Sequence, residues 1–212
     1  RRDIGNASAR AQLPFLVVGM VKRPGGLDEP HQAIREAQWE VADRVLECYL
    51  AATTLDLPNL GKQHLTPAAY TRMGLRVAQT VLYVLGRVGF YRGPAVAAVG
   101  SFDARGLEVT LTHRGGTDIA PSSGITGWAV ADAQGVAPIQ KVFRQGPRTI
   151  RILLDRPLEG RTEVRYLYGA LPDTRRPLRD NASPSLPLEA FRGWVAPLAK
   201  TSAKAAPDPS TP

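Results

Sequence analysis

The sequence predicts an α/β region followed by an all-β region, and three observations lead to this prediction. Short apolar runs at residues 14–20 and 48–54 flank a stretch with helical spacing, as expected where buried parallel strands alternate with helices. Beyond Pro94 the hydrophobic period changes to two, the period of a half-buried strand. From about Ala196 the chain shows no pattern. We therefore predict an α/β domain at 1–91, a β-sandwich domain at 92–195 and a disordered tail at 196–212.

The first half of the α/β region is predicted to be a strand, a helix and a second strand. The run at 14–20 is bounded by a proline and by a Pro-Gly-Gly turn, so we expect a strand covered on both faces. A helix is expected from Asp28, because Asp28 and Glu29 suit the positive end of the helix dipole. Apolar residues recur there at helical spacing and are expected to pack on the sheet: Ile34, Ala37, Val41 and Val45. This order predicts part of a doubly wound, flavodoxin-like parallel sheet.

A second helix is predicted to begin at Thr66, since threonine is a good N-cap and Pro67 suits the first helical position. The following apolar positions keep a helical pattern over four turns and are expected to face the core: Tyr70, Met73, Gly74, Val77, Ala78, Val81, Leu82 and Leu85. Gly86 and Gly89 are expected to end this helix.

The all-β region is predicted from alternation and from short turns. Leu107, Val109 and Leu111 alternate with polar residues, as on a strand with one buried face. Turn sequences at 103–106 and 132–135 separate such runs and predict antiparallel hairpins. Further runs occur at 125–131, 136–142, 149–154 and 163–168. A small sandwich would bury one face of each strand.

Composition narrows the range of partners. The 212 residues carry a net charge of +8, but lysine and arginine are dispersed, so we expect no nucleic-acid partner. No apolar run approaches the roughly 20 residues of a membrane span, and we expect no membrane association. The single cysteine, Cys48, allows no disulfide within the chain and no Cys-rich zinc site. We expect no metal and no cofactor.

The three histidines are the first candidates for a general base, because imidazole titrates near neutral pH. His31 lies on a charged helix and His113 ends an alternating strand, so both are predicted to be surface residues. His64 lies in a loop after a predicted parallel strand and directly before a capped helix. That is where α/β sheets gather their active-site residues. His64 is therefore the candidate catalytic residue.

Several short motifs follow one another along the chain. Around the candidate histidine, His64-Leu65-Thr66 leads through Tyr70 to Gly74-Leu75-Arg76-Val77-Ala78. Upstream are Leu13-Pro14-Phe15 and Ile34-Arg35-Glu36-Ala37-Gln38, and downstream are Val164-Arg165-Tyr166-Leu167-Tyr168-Gly169, Asp180-Asn181 and Leu186-Pro187-Leu188. Their order and spacing resemble the C-terminal part of the SGNH-type carbohydrate esterases, in particular the sialate O-acetylesterase group. The resemblance spans nearly residues 10–192.

The resemblance implies acyl transfer from an acetylated carbohydrate to a serine, with His64 as the proton carrier. In this family the nucleophilic serine lies in the first half of the enzyme, and no serine here has such a context. Ser8 is interpreted as a loop or helix-end residue. We therefore expect this chain to be the C-terminal portion, inactive alone, with the N-terminal half of the same enzyme as its partner. The family often acts outside the cytoplasm, which favours a periplasmic or secreted protein.

The acid partner of the histidine departs from the family pattern. The family usually has an aspartate two or three residues before its histidine, where Gly61 and Lys62 stand here. Asp56 is the candidate acid in the same loop. Alternatively it is a turn residue before Pro58, and a backbone carbonyl orients the imidazole. Asp180 and Asn181 are interpreted as loop residues rather than substrate contacts.

A second function remains open from the sequence. A noncatalytic carbohydrate-binding or scaffolding protein would use the β domain and retain a degenerate esterase remnant. Exposed aromatic side chains on one sandwich face would favour this function, and Trp128 is one candidate. A tryptophan in an alternating strand is, however, more often a core residue.

Overall fold

A computed structural model describes residues 13–61 and 63–195 of the chain. The predicted tail at 196–212, residues 1–12 with Ser8, and Lys62 lie outside the described residues. The described part is a mixed α/β structure, dominated by strands and containing two helices. Its first part alternates strands and helices, and its second part is built from strands alone.

The α/β part contains a parallel strand pair and two helices. Strand β1 (Phe15–Val18), helix α1 (Asp28–Arg44), strand β2 (Cys48–Ala52) and helix α2 (Pro67–Val84) follow one another, as the sequence predicts. Strands β1 and β2 run parallel, with Phe15 opposite Cys48. Between β2 and α2 lies a short hairpin of β3 (Asn59–Leu60) and β4 (His64–Leu65).

The beginning of α2 agrees with the sequence prediction. The Thr66 hydroxyl accepts a hydrogen bond from the Ala69 N–H at 3.3 Å, which satisfies one of the unpaired donors of the first turn. Pro67 occupies the first helical position. The helix ends at Val84, and Gly86 follows with φ at +69°, so this glycine takes the left-handed conformation expected near a helix end.

The packing predicted for the apolar faces of both helices is wrong. On α1, Ile34 is 50% exposed and Val41 is 43% exposed, whereas Gln32 and Arg35 are buried. On α2 the buried residues are Ala69, Arg76, Gln79 and Thr80, whereas the apolar residues left exposed include Tyr70, Val81, Leu82 and Leu85. Each helix therefore packs on β2 with small and polar residues.

Hydrogen bonds to the backbone explain why the polar faces are turned inward. On α2, the Thr80 hydroxyl donates to the Ala51 carbonyl at 3.0 Å, and the Gln79 amide donates to the Phe90 carbonyl at 3.0 Å. On α1, the Gln38 side chain accepts from the Met20 N–H at 3.0 Å. These contacts satisfy backbone groups that follow or flank the strands, and they leave the apolar faces in solvent.

The second part consists mainly of two four-stranded antiparallel sheets. One has the order β10 (Ile139–Gly146), β11 (Thr149–Leu154), β6 (Gly106–Thr112) and β5 (Ala95–Asp103). The other has the order β14 (Phe191–Val195), β12 (Thr162–Tyr166), β8 (Trp128–Asp132) and β9 (Gly135–Val136). The predicted hairpins at 103–106 and 132–135 join β5 to β6 and β8 to β9. A further short pair links β7 (Ile119–Ala120) to β13 (Arg179–Asp180).

One hydrophobic core lies between these sheets. Leu107, Val109 and Ile150 from one sheet and Val164 and Tyr166 from the other belong to the same buried cluster. Trp128 also belongs to it, with its ring centroid 4.6 Å from that of Tyr166. Trp128 is therefore a core residue, as a tryptophan in an alternating strand more often is, and it is not an exposed aromatic of a sheet face.

The two parts of the chain meet at the start of α1. The Ala170 N–H donates to the Asp28 carboxylate at 2.8 Å, and the Arg23 N–H donates to the Ala170 carbonyl at 2.8 Å. Gly169 has φ at +87°, and a Cβ atom on it would lie 2.5 Å from Asp28 Oδ1. A side chain at 169 would therefore both strain the backbone and displace α1.

Asp180 is buried beside β7 and holds the turn that follows it. Its Oδ1 atom accepts the Leu186 N–H at 2.7 Å and the Ala182 N–H at 3.3 Å. Its Oδ2 atom is buried and has no hydrogen-bond partner among the described residues. Burial raises the pKa of Asp180 above its ordinary value, because the charged carboxylate loses hydration.

Asp180→Asn is expected to change how stability depends on pH. A carboxyl group with a raised pKa contributes stability that is fully present below the unfolded pKa, about 3.9, and is lost as pH rises through the folded pKa. The amide keeps an acceptor for the two N–H groups and carries no charge. The variant should therefore gain stability relative to the parent between about pH 4 and pH 7. Urea unfolding at about pH 4 and at about pH 7 measures the free energy of unfolding of both proteins. The same difference between variant and parent at the two pH values would contradict the prediction.

Candidate active site

The carboxyl ends of β1 and β2 form the base of the candidate site. The Gly19 N–H donates to the Ala52 carbonyl at 2.8 Å, and the Thr54 hydroxyl donates to the Gly19 carbonyl at 2.9 Å. These bonds hold together the two segments that leave the parallel strands. Loops at this end of an α/β sheet are where such folds place ligands.

The β3–β4 hairpin carries His64. The Thr66 N–H donates to the Pro58 carbonyl at 3.1 Å and closes the hairpin. Leu65 is buried with Leu57 and Ala69 in a small hydrophobic cluster. Because neighbouring residues on a strand point to opposite sides, burial of Leu65 turns His64 outward, and His64 is exposed.

Asp56 lies at the base of the same loop in a buried ion-pair network. Arg76 from α2 binds both carboxylate oxygens in a bidentate geometry, with two N–O distances of 2.7 Å. Arg179 from β13 donates to Oδ2 at 2.6 Å. The Asp56 side chain is fully buried and that of Arg76 nearly so. Asp56 therefore ties the loop to α2 and to the all-β part of the chain.

The structure does not join the two predicted site residues directly. Within residues 13–61 and 63–195, the hydrogen bonds of the Asp56 carboxylate come from Arg76 and Arg179, and His64 has no hydrogen bond to it. The pairing of Asp56 with His64 stays a prediction. The described contacts of Asp56 are structural.

Lys22 and Asn59 connect the loops on either side of the site. The Asn59 amide donates to the Lys22 carbonyl at 2.7 Å, and the Lys22 ammonium donates to the Thr174 hydroxyl at 2.6 Å. Burial lowers the pKa of Lys22, and the nearby Asp56 and Asp173 carboxylates partly oppose that shift. Lys22 thus links β3 of the hairpin to the loop at 171–178.

A small cavity lies behind the loop, between the strand ends and the all-β part. Its lining includes Gly19, Thr53, Thr54, Asp56, Leu167 and Leu188. The space is about 20 Å³, which suits a single water molecule and is too small for a sugar.

Two buried arginines of this region, Arg35 and Arg76, were not predicted from the sequence. Arg35 donates from its guanidinium to the Met20, Val21 and Gly169 carbonyls, and Arg76 binds Asp56 and the Thr53 carbonyl. A signal was present, because each arginine shares a helix face with a glutamine three residues away, Gln32 on α1 and Gln79 on α2. Such a polar stripe indicates a helix face that binds backbone groups.

Asp180 and Asn181 hold turns in the all-β part of the chain. The Asn181 side-chain oxygen Oδ1 accepts the Thr117 N–H at 2.8 Å and the Asp118 N–H at 3.0 Å. Both residues therefore have structural contacts, in line with the interpretation from sequence.

In the described part of the chain no three His, Cys, Asp or Glu side chains are grouped as metal ligands would be, and neither helix is long and apolar enough to cross a membrane.

Comparison with known proteins identifies a structural relative only. Neither protein-family models nor curated proteins match the sequence significantly. Among solved structures, a carbohydrate acetylesterase from Xanthomonas citri matches with a TM-score of 0.66 and 21% sequence identity, over 91% of this chain and 44% of that one. The N-terminal part of the bacterial S-layer protein SbsC matches with a TM-score of 0.38 and 14% identity, over 63% of this chain and 29% of that one.

The first likeness concerns the fold. This chain has the fold of one part of a carbohydrate acetylesterase and spans less than half of that protein's length. The TM-score to the S-layer protein is too low to support an argument.

Proposed function

We propose that this chain is the histidine-bearing C-terminal portion of a serine esterase that removes O-acetyl groups from carbohydrates. The observation that carries the proposal is the location of His64. It is an exposed imidazole on a hairpin at the carboxyl end of a parallel strand pair, directly before a capped helix. The fold likeness to a carbohydrate acetylesterase supports the same function. Sialate O-acetyl groups are the substrate class that the motif resemblance suggests.

His64 would act as general base and then as general acid. Its imidazole takes the proton of the serine hydroxyl as the serine oxygen attacks the acetyl carbonyl carbon. When the bond from the acyl carbon to the sugar oxygen breaks, the imidazolium gives that proton to the departing oxygen. Water then attacks the acetyl-serine, His64 accepts its proton, and acetate leaves with the serine regenerated. The reaction needs no cofactor.

Asp56 would support His64 through the loop. The Asp56–Arg76 pair fixes the start of the loop that carries His64 to the helix that follows it. Both ends of the hairpin are thereby attached to α2. We therefore propose that Asp56 is a positioning residue of the site. Its described contacts are with Arg76 and Arg179 and not with the His64 imidazole.

The serine would come from a further segment that covers the apolar faces of both helices. Val41 on α1 and Leu82 and Leu85 on α2 belong to apolar stripes that are exposed within the described residues. Strand β1 also pairs only with β2 in that part of the chain. Further strands and helices of a doubly wound sheet would bury such surfaces. We propose that this segment is the N-terminal half of the same enzyme.

His64→Ala is expected to abolish p-nitrophenyl acetate hydrolysis by the longer protein that contains this chain and the serine-bearing segment. Removal of a catalytic histidine typically lowers kcat by a factor on the order of 10⁴ to 10⁶. Because His64 is exposed, its removal should leave the melting temperature unchanged. The 212-residue chain alone should give no turnover.

His31→Ala is the matched control. His31 lies on α1, where its Nδ1 atom lies 2.9 Å from the Leu27 carbonyl oxygen, and the proposal gives it no catalytic role. Activity that survives His64→Ala, or that falls equally in His31→Ala, would refute the assignment of His64. Inactivity of the pure, folded longer protein on acetyl esters would favour a noncatalytic carbohydrate-binding protein instead.

A further inference from the structure

The solvent side of strands β12 and β14 carries a group of arginine and aromatic side chains. We call it the Trp194 face and define it by Arg161, Arg165, Tyr168, Arg192 and Trp194. Trp194 is 50% exposed, an unusual degree for an indole ring on a strand. The opposite side of these strands carries Val164, Tyr166 and Val195, which belong to the hydrophobic core.

Strand register places these side chains in two parallel rows. Trp194 lies opposite Glu163, which in turn lies opposite Ala131 of β8. In the next row Arg192 lies opposite Arg165, which lies opposite Ala129. Because Ala129 and Ala131 have small side chains, the part of the face over β8 carries no large group. The face is therefore a flat strip about 10 Å wide across three strands, with its large side chains on one flank.

Glu163 orients the two arginines of the second row. It accepts from Arg192 Nε at 2.5 Å and pairs with Arg165 Nη2 at 2.6 Å. Burial alone would raise the pKa of Glu163, but the two guanidinium groups outweigh burial and lower it. One buried carboxylate thus holds two guanidinium groups in place and neutralises only part of their charge.

The aromatic rings are held by stacked guanidinium groups. The Arg161 guanidinium carbon lies 4.1 Å from the centroid of Trp194, and that of Arg165 lies 4.3 Å from the centroid of Tyr168. Burial, together with Glu29, raises the pKa of Tyr168 to about 12, so its hydroxyl remains a donor at neutral pH. The rings and guanidinium groups are thus already stacked on one another without a ligand.

The arginines of the face have hydrogen-bonding capacity that the described residues do not use. Arg165 Nε is buried and has no hydrogen-bond partner among the described residues. The face has three positively charged arginines and two neighbouring carboxylates. Glu163 pairs with Arg165 and Arg192, and Glu29 lies 3.8 Å from Arg192. The face therefore has net positive charge beside an exposed apolar ring.

We propose that the Trp194 face binds an anionic glycan, one whose sugar rings carry carboxylates. A carboxylate would accept hydrogen bonds from Arg192 and Arg165, and the C–H face of a sugar ring would pack on Trp194. Bidentate arginine–carboxylate geometry gives such a site its specificity. The site is noncatalytic and separate from His64, so this proposal goes beyond the proposed esterase function.

A nucleic acid suits the face less well. Duplex or single-stranded nucleic acids need several phosphate contacts along a continuous basic groove. Here the arginines occupy one short strip, and two of them share Glu163. A carboxylated sugar needs only one or two such contacts, so it suits this short strip better than a nucleic acid does.

The other sheet provides a matched control. Arg151 on β11 stacks over Phe102 with its guanidinium carbon 4.5 Å from the ring centroid, and it pairs with Glu108 at 3.3 Å. This cluster likewise combines an arginine, an aromatic ring and a neighbouring carboxylate, but its one arginine is balanced by one carboxylate. It should not bind the glycan.

Affinity electrophoresis of the 212-residue chain in gels containing polygalacturonate tests the proposal. We expect retardation that Arg192→Gln and Trp194→Ala each weaken roughly tenfold, and that Arg151→Gln leaves unchanged. Thermal unfolding establishes that each variant is folded. Arg192→Gln provides the test if Trp194→Ala fails to fold, because Arg165 still pairs with Glu163.

Three outcomes would overturn the proposal. The first is equal weakening by Arg151→Gln, which would indicate nonspecific charge. The second is equal retardation by a neutral glucan, which would exclude charge recognition. The third is stronger retardation by single-stranded DNA with the same response to the variants, which would indicate a nucleic-acid site. Esterase activity does not enter this measurement, so failure here leaves the His64 assignment untouched.

Discussion

Asp56→Ala is expected to lower the free energy of unfolding by about 3–5 kcal/mol. Removal of one member of a buried ion-pair network leaves its partners buried without a counter-charge, and this loss has that magnitude. Here both Arg76 and Arg179 would lose the carboxylate that they share. Arg76 is the more affected, because its side chain is only 5% exposed.

Urea unfolding of the parent and of two further variants measures this effect. Asp56→Asn keeps the shape and removes the charge, so it should fall between the parent and the alanine variant. Glu40→Ala removes an exposed partner of Arg44 on α1 and should cost about 0.5 kcal/mol or less. A similar cost for Asp56→Ala would mean that the network does not hold the loop to α2 and β13.

Arg35→Ala is expected to lower the free energy of unfolding by about 3 kcal/mol or more. Its guanidinium donates to the Val21 carbonyl at 3.2 Å, to the Met20 carbonyl and to the Gly169 carbonyl. A buried acceptor left without its donor costs about 1–3 kcal/mol, and several are affected together. Burial lowers the pKa of Arg35 to about 10, so the group is still charged at neutral pH.

Arg35→Lys should recover little of this loss, because an ammonium group cannot reach three carbonyls as a planar guanidinium does. Arg44→Ala is the control, since Arg44 lies on the same helix with a side chain that is 77% exposed. Thermal and urea unfolding compare the three variants. Equal stability of Arg35→Ala and Arg44→Ala would show that Arg35 does not join α1 to the all-β part.

Local sequence signals predicted the elements well where the signal is itself local. The α2 cap needs only Thr66, Pro67 and the N–H of Ala69, and the structure contains it. The 103–106 and 132–135 turns likewise depend on a few adjacent residues, and both join neighbouring antiparallel strands. Alternation also predicted that Leu107, Val109 and Leu111 of β6 face the core.

The buried side of each helix could not be predicted in this way. The rule that apolar residues face inward assumes that all neighbouring elements are present. In the described residues the inward positions of α2 include Arg76, Gln79 and Thr80. Their side chains donate to the Thr53, Phe90 and Ala51 carbonyls, respectively. Which carbonyls need a donor is a property of the assembled fold.

The sequence by itself determined the order of β1, α1, β2 and α2, the change of period near Pro94, and the candidacy of His64. It did not predict the β3–β4 hairpin, because residues 56–64 were expected to form a loop. These follow from patterns within a few turns or strand residues. Only the tertiary structure decided the partners of Asp56, the exposure of Trp194 and the burial of Trp128. Each depends on residues far apart in the chain, as when Arg179 reaches Asp56, and the side to which a strand residue points is fixed only once its sheet is assembled.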